Sequence, residues 1–587
     1  TRPLDEIAQT LFEASQGLRK AYEKGQDHLN ALQSEGDAVT AMRATTISNL
    51  ASLERALTNV NGALMAIEGA RDGVATVMSN INTLQAYAST NNCTILNDGS
   101  VVGEGSRTQR GGKSPARLNI EQGIKDVIEQ ADQVDTDLYH ALQDINNDSY
   151  TDGDWAENKV IGVPDLPQPN WSPSQNAAWW NSLPDDRKQF FTDHCPDTVR
   201  HLDGLPAAAR DRANRFALEG YVDANGKEQP GALADAKEAV KDAQKEYDDA
   251  RKHLSAYEPR SGHMNSEERV AREKLERAKV AYEDLKTIQK QIANADRMNK
   301  GLAPAYLLDF NYDEKYQRTT AIVSAGNPDT ATHVSTLVPG IGTNVRGDLD
   351  YYMDFNDRLR EQTKHAGVDP NNVAAISYLG YVAPKNQGFD KVQAADIGYA
   401  NRAAPKLAQF EEGLRASANA NNHKFTNTLL THSYGSTTGG KSATLMAPGT
   451  VDRLILAGSP GAGADTIDAY NVSREHVYVS SIPTSDAVQD LNTFTPSGFG
   501  SDPRYLDGIT HLSGDVTDSE NYVPPRVPPI DDNPLIHQAY RFVHALDHHM
   551  AYFDENTRTS QDFANIVAGG NPTTDEEWAA IKAARGK

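Results

Sequence analysis

The chain has 587 residues, of which 38% are hydrophobic, with 57 Lys+Arg against 81 Asp+Glu and a formal charge of -24. This length predicts several domains, and the low apolar content fits a globular body accompanied by long solvated helices. The acid excess is spread along the chain rather than gathered in a tail, which argues for a solvated surface and against nucleic acid or anionic membrane as a first partner.

Residues 1–145 read as a helical bundle or long hairpin. Leu4, Ile7, Leu11 and Leu18, then Leu50, Leu53, Leu57, Val60 and Leu64, recur mostly at three- and four-residue steps. The Asn- and Gly-rich stretch from Thr90 to Lys113 predicts a loop or short hairpin, and helix resumes over about 116–145. His28 and His140 have no partner at ligand spacing, so packing or solvation is their expected role.

Residues 146–230 are rich in Pro and Trp, with Trp171, Trp179 and Trp180. Ser182 is a candidate N-cap with Asp185 and Asp186 in the first turn, and Pro206 can open a further short helix. Arg210, Arg212 and Arg215 with Asp211 suggest a helix docked onto another element, with substrate binding as the lesser alternative. Over 231–298 the composition shifts to Ala, Lys, Glu and Arg. Two helical runs flanking Pro259-Arg260-Ser261-Gly262 predict an antiparallel coiled-coil hairpin standing off the body, with a solvated face or a partner-binding arm as its two readings.

From 299 to 587 strand-like runs alternate with helical stretches, which predicts an α/β domain with a mostly parallel, doubly wound sheet. One strand-like run, Phe425 to Leu430, leads into Thr431-His432-Ser433-Tyr434-Gly435-Ser436. A strand, a sharp turn and a helix with Ser433 at the apex would lift a nucleophile above a sheet beside a helix N-terminus. The G-x-S-x-G pattern is met only in its second half, because Thr431 stands where Gly is usual. An ordinary loop serine is the competing reading.

A serine nucleophile on such a turn requires an oxyanion loop after an earlier strand, an acid after a later one and a late histidine. Val334 to Val338 is followed at once by Pro339-Gly340-Ile341-Gly342, whose N–H groups are candidate oxyanion donors together with the N–H of Tyr434. Asp486 lies beyond the strand-like Val477-Tyr478-Val479, with Asp490 and Asp502 as rivals. The last segment offers His537, His544, His548 and His549, of which His549 best fits the base. His544 and His548 sit at i, i+4 beside Asp547, but no Glu follows His544, so a metal site ranks below the triad and no cofactor is expected.

Cys93 and Cys195 lack any ligand or framework spacing, which leaves at most one bridge. No apolar run reaches the roughly 18 residues of a spanning helix. Thr1 opens no secretory pattern, and without an initiator Met a removed segment stays open; a secreted or cell-envelope location is the expectation and a cytoplasmic one the alternative.

Tyr306, Thr336 to Thr343, Tyr378-Leu379-Gly380-Tyr381, His432 to Ser436, Phe499 to Pro503 and His549 to Phe553 together resemble an actinobacterial α/β-hydrolase family of unknown function. Trp179-Trp180, Leu202 to Pro206 and Arg210 to Arg215 resemble the segment that precedes the hydrolase in that family. The resemblance implies an α/β-hydrolase fold and a Ser–Asp–His triad, carried onto Ser433, Asp486 and His549. The N-terminal helices are similar in character to the helical-hairpin Trp-x-Gly proteins of type VII secretion, although no Trp-x-Gly occurs. Two functions follow as expectations. One is a serine hydrolase acting on a small-molecule or lipid ester or thioester. The other is a secreted effector or interaction protein whose N-terminal helices or coiled-coil arm bind a protein partner.

Overall fold

The computed structural model describes residues 2–31, 37–103, 115–146, 166–168, 171–183, 185–255, 266–384, 397–482, 499–517 and 549–585. They form two compact units, one of Thr1–Gln189, Leu202–Leu205 and Glu412–Asn422, the other of Phe190–His201, Pro206–Glu411 and His423–Lys587.

In the first unit the expected helices are α1 (Arg2–Ala31), α2 (Asp37–Thr90) and α3 (Pro115–Asn146). Their apolar stripes meet where Ala8, Leu64 and Ile67 pack with Leu11, Phe12 and Leu138. A hairpin of β1 (Cys93–Ile95) and β2 (Val101–Gly103) joins α2 to α3 and closes over Ala88 and Ile120. Helix α4 (Pro173–Ser182) starts on a capping box in which Ser172 and Gln175 satisfy each other's backbone N–H groups. It buries Trp179 and Trp180. The expectation for Ser182 is corrected: it is the last residue of α4, its hydroxyl donates to Trp179 O at 2.6 Å, and α5 begins at Asp185 (Asp185–His194).

The second unit opens with the short α6 (Pro196–Val199) and with α7 (Ala207–Glu219), followed by a hairpin of β3 (Gly220–Val222) and β4 (Glu228–Pro230). Arg215 binds Asp211 at 2.8 Å and donates to the carbonyls of Ile292 and Ala305, while Asp211 accepts Leu307 N–H at 2.6 Å. These charges therefore dock α7 onto the sheet. Helices α8 (Ala232–Ser255) and α9 (Ser266–Gln291) pair as predicted, followed by α10 (Asn294–Asn299). The hairpin does not stand off the body, however: Leu285, Ile288 and Ile292 belong to the same buried core as Leu307, Phe310 and Leu337 of the sheet. Burying Leu285 and Ile288, with Ile292 just past the helix end, outweighs solvating the C-terminal half of α9, at roughly 1.5–3 kcal/mol each.

The sheet has eight strands in the order β12-β11-β10-β9-β7-β8-β6-β5. They are β5 (Ala305–Asp313), β6 (Arg318–Ala325), β7 (His333–Val338), β8 (Val373–Leu379), β9 (Thr426–His432), β10 (Arg453–Ala457), β11 (Val477–Ser480) and the short β12 (Thr510–His511). All neighbours from β8 through β12 pair in parallel, whereas β6 runs antiparallel to both β5 and β8. The parallel strands β7 to β11 are buried along almost their whole length, as a sheet covered on both faces requires. The connections supply α11 (Val345–Gln362), α12 (Gly398–Ala420) and α13 (Tyr434–Leu445), and the chain closes with α14 (Arg558–Val567) and α15 (Asp575–Ala584). The loops after β7, β9 and β11 leave one edge of this sheet, the edge where open α/β sheets bind ligands. Both cysteines are free thiols.

Candidate active site

Strand β9 ends at His432, α13 begins at Tyr434, and Ser433 is the single residue between them. Its backbone is held at φ 59 and ψ -134, a conformation that costs a residue with a Cβ about 1–3 kcal/mol. The strain is over-determined by its surroundings. Ser433 N–H donates to Ala457 O on the neighbouring strand at 2.9 Å. Its own carbonyl accepts from Ser436 N–H at 2.9 Å and from Ser436 Oγ at 2.6 Å, and Ser436 Oγ is fixed in turn by Ser459.

The small residues around the turn have separate steric reasons. A Cβ on Gly435 would stand 2.3 Å from Val338 O and 2.5 Å from Pro339 O, so the first turn of α13 can pass the end of β7 only with Gly there. Thr431 occupies the place where glycine is usual because the helix gives way instead. A Cβ on Gly439 would meet Thr431 Cγ2 at 2.3 Å, and Thr431 Oγ1 donates to Ile455 O at 2.6 Å. The close approach that a sharp strand–helix turn demands is thus met one helical turn later, on the opposite partner.

Gly340 follows β7 and lies against the serine: a Cβ on it would come within 2.7 Å of Ser433 Oγ and 2.4 Å of Ser433 Cβ. Its turn is pinned from outside, with Tyr381 OH donating to Pro339 O at 2.5 Å and Thr343 Oγ1 donating to Gly340 O at 2.9 Å. Gly342, another candidate donor, already gives its N–H to Pro384 O at 2.8 Å, and its φ of 79 shapes the bend. Gly340 and Ile341 remain as candidate donors, and of the two Gly340 is shown against the serine. Tyr434 is the first residue of α13, where helix geometry gives its N–H no intrahelical acceptor. Ser433 itself is only 2% exposed, and its Oγ is buried with no hydrogen-bond partner among the described residues.

His549 is buried on the short segment before the 3-10 turn Ala551–Phe553. The adjoining His432 holds it in place. The two imidazole rings lie 4.4 Å apart at 33°, and His432 Nε2 is 2.7 Å from His549 O, so His432 carries its proton on Nε2 and donates it to that carbonyl. Phe553 packs edge-on against His432 at 4.7 Å. Sequence reasoning gave His432 no role. Its place immediately before the apex serine, inside an apolar strand, was the available signal. Tyr552 OH accepts Ile482 N–H at 3.0 Å and so ties the His549 segment to the start of the loop that follows β11.

Asp486, Asp490, His537, His544, Asp547 and His548 lie outside the described residues. Two other acids near this edge are committed elsewhere. Asp502 caps its own turn and binds Arg504 at 2.7 Å. Asp515, beyond β12, accepts Trp578 Nε1–H at 2.6 Å and Lys582 at 3.0 Å. Burial pushes Asp515 up, but the hydrogen bonds from Thr517, Trp578 and Lys582 outweigh it and hold the carboxyl below the ordinary range. Burial pushes the nearby Tyr381 phenol well above its usual value, with Tyr434 adding to the effect, which marks this edge as a low-dielectric environment.

Next to the serine, Tyr434, Ala400 and Phe499 form a small apolar cluster, with Ile341, Ile397 and Tyr399 packed on it. No group of three or more His, Cys, Asp or Glu among the described residues is arranged to hold a metal ion, and no described helix is long and apolar enough to cross a membrane.

Comparison with known proteins agrees with this architecture. Residues 314–496 match the family model described as alpha/beta hydrolase, which spans β6 to β11 and includes Ser433. The chain is 25% identical over 321 residues to the uncharacterized proteins MT2140 and Rv2079 of two strains of Mycobacterium tuberculosis. The aligned part is 54% of this chain, and the chain spans only 44% of the length of these curated relatives. No solved structure matches the chain. The C-terminal part is therefore an α/β-hydrolase domain behind a mostly helical N-terminal region, and its relatives fit the actinobacterial resemblance. These matches lend nothing to the likeness with Trp-x-Gly proteins.

Proposed function

We propose that the hydrolase domain cleaves an ester or thioester by covalent catalysis at Ser433. The observation that carries this reading is the left-handed backbone of Ser433 at the β9–α13 junction, with Gly340 against its side chain. A strained serine between a strand and a helix serves little structural purpose, whereas a nucleophile needs that position. In the proposed reaction Ser433 Oγ attacks the substrate carbonyl carbon as its proton passes to His549. The N–H groups of Tyr434 and of Gly340 or Ile341 stabilise the oxyanion. Collapse expels the alcohol or thiol, which takes the proton from His549 and leaves an acyl-enzyme for water to hydrolyse. Asp486 would hold the imidazole in its productive tautomer. The catalytic hydrogen bond from Ser433 forms in this scheme on substrate binding, since such contacts tighten in the Michaelis complex. The hydrolase reading is the one that the Ser433 junction favours over the interaction-protein alternative.

The test is labelling with a fluorophosphonate probe and turnover of a short acyl ester by the intact chain. Ser433→Ala is expected to abolish labelling and lower kcat by about 10⁴-fold or more. Turnover that survives the substitution would sink the proposal.

A further inference from the structure

The β5–β6 hairpin turns at the same edge as Ser433, because β6 runs antiparallel and begins where β8 ends, with Ala321 opposite Leu379. On this turn Lys315 stands 5.2 Å from the Tyr316 ring, and Arg402 of α12 lies 5.5 Å from Tyr316 and 4.9 Å from Tyr399. Tyr316 and Tyr399 pack against each other at 5.5 Å, and Tyr399 also packs on the apolar cluster that includes Tyr434 and adjoins Ile341. A chain of packed apolar side chains, buried at Tyr434 and Phe499 and half-buried at Ile341 and Tyr399, therefore connects the Ser433 junction to a cationic shelf.

Two more arginines join the shelf. Arg318, half-buried, donates to Ala383 O at 3.0 Å, and Arg346 is exposed in the first turn of α11, where the helix dipole adds to its charge. The two are close enough to repel: burial lowers the Arg318 pKa, and Arg346 lowers it further. Asp284 faces both arginines and offsets part of their charge. Asp284 and Asp348 are partly or wholly buried and spend oxygens on the backbone N–H groups of Arg346 and Asn344, and burial pushes both up. Among the described residues Arg402 and Lys315 make no ion pair, and Glu314 is the exposed acid next to Lys315. Beyond Gln317 lies a cavity of about 660 Å³ lined by Arg269, Arg272 and Arg277 with Glu273 and Glu276, in which Arg277 pairs with Glu273 at 3.5 Å. In a chain of net charge -24, such a concentration beside an apolar wall calls for an anion.

We propose that this shelf binds the anionic group of an amphiphilic substrate, a carboxylate or phosphate, whose apolar portion lies along Ile341, Tyr399 and Phe499 and presents its ester or thioester carbonyl to Ser433. The inference rests on the hydrolase reading for the last step only. A neutral ester would fill the apolar wall but leave Arg402 without a counter-charge, so the shelf selects amphiphiles over simple alkyl esters.

The test measures binding of decyl phosphate, decanoate and decanol, below their aggregation limits, to the intact Ser433→Ala chain by calorimetry. At least one anion is expected to bind about tenfold or more tightly than decanol, weakening at high salt, and the better anion identifies phosphate or carboxylate chemistry. Arg402→Gln combined with Arg346→Gln, both at exposed positions, should remove most of that preference, with an unchanged circular dichroism spectrum showing that the fold persists. Equal affinity for all three ligands, or a preference intact in the double variant, would overturn the inference. A wild-type chain that binds the anions selectively but is never labelled at Ser433 would leave the shelf standing and remove the serine-hydrolase reading instead.

Discussion

The two units use the same apolar residues to different ends. In the helical unit, stripes along α1, α2 and α3 enclose polar groups as they pack: Ser15 donates to Asn61 at 2.5 Å, and Glu68 is buried beside Arg71, Asp72 and Asp5. In the sheet unit one large apolar core backs the strands, and the polar groups at the strand ends converge on Ser433. Side-chain stripes between helices can adjust to a buried carboxyl. A hydrogen-bonded parallel sheet cannot adjust, and that rigidity lets it hold one residue in an unfavourable backbone conformation. Substitutions in the sheet unit should therefore disturb chemistry or break the fold, whereas in the helical unit they should retune stability.

The largest expected effect sharpens this contrast. Asp486→Asn should lower kcat for a short ester by about 10³- to 10⁴-fold with little change in melting temperature, because the imidazole loses its orienting charge. Asp515→Asn should do the reverse, loosening the clasp on Trp578 and Lys582 while the rate stays within a few-fold. If Asp486→Asn retains wild-type kcat, the acid has been misassigned.

Gly435→Ala comes next. With Val338 O 2.3 Å from the new methyl group, α13 or β7 must move, at a cost of about 2–4 kcal/mol. Denaturant unfolding should show a lowered midpoint, and the surviving folded protein should label slowly. A variant as stable as the wild type would mean that this junction is more compliant than the contrast allows.

In the helical unit the expected response is to pH. Burial raises the Glu68 pKa from 4.5 to about 7; Arg71 opposes this, while Asp72 and Asp5 add to it. Below pH 4.5 the carboxyl is protonated whether the unit is folded or not, and its contribution is fully present. As pH rises towards 7 the unfolded chain ionises first, so that stabilisation of on the order of 3 kcal/mol is lost across this window. Protection of α2 amides, taken as the exchange rate relative to that of the free peptide at the same pH, should fall between about pH 4.5 and 7.5 in the wild type, and Glu68→Gln should flatten the dependence without altering turnover at the proposed site. A wild-type profile flat over that range would show that the Arg71 ion pair outweighs burial.

Legibility in the sequence followed the range of the interactions. Three- and four-residue spacing located α3, α8 and α9 to within a few residues and marked the span of α1 and α2 without dividing it, and short β-branched runs located seven of the eight strands in the large sheet. The two-residue β12 escaped, because so short a strand exists only by pairing with β11. Helix α4 was missed although Ser172-x-x-Gln175 was a readable capping signal; the surrounding Pro and Trp obscured it.

What the sequence determined by itself was periodicity, the turn residues around Ser433, and the order along the chain of a glycine-rich turn, that serine and the late histidines. Tertiary structure alone decided that Gly439 makes the room for Thr431, that His432 grips the backbone of His549, and that α9 belongs to the core. Those facts depend on atoms far apart along the chain meeting within a few ångströms. Only the packed sheet sets such meetings, since spacing along one strand or helix carries no information about what the next element brings against it.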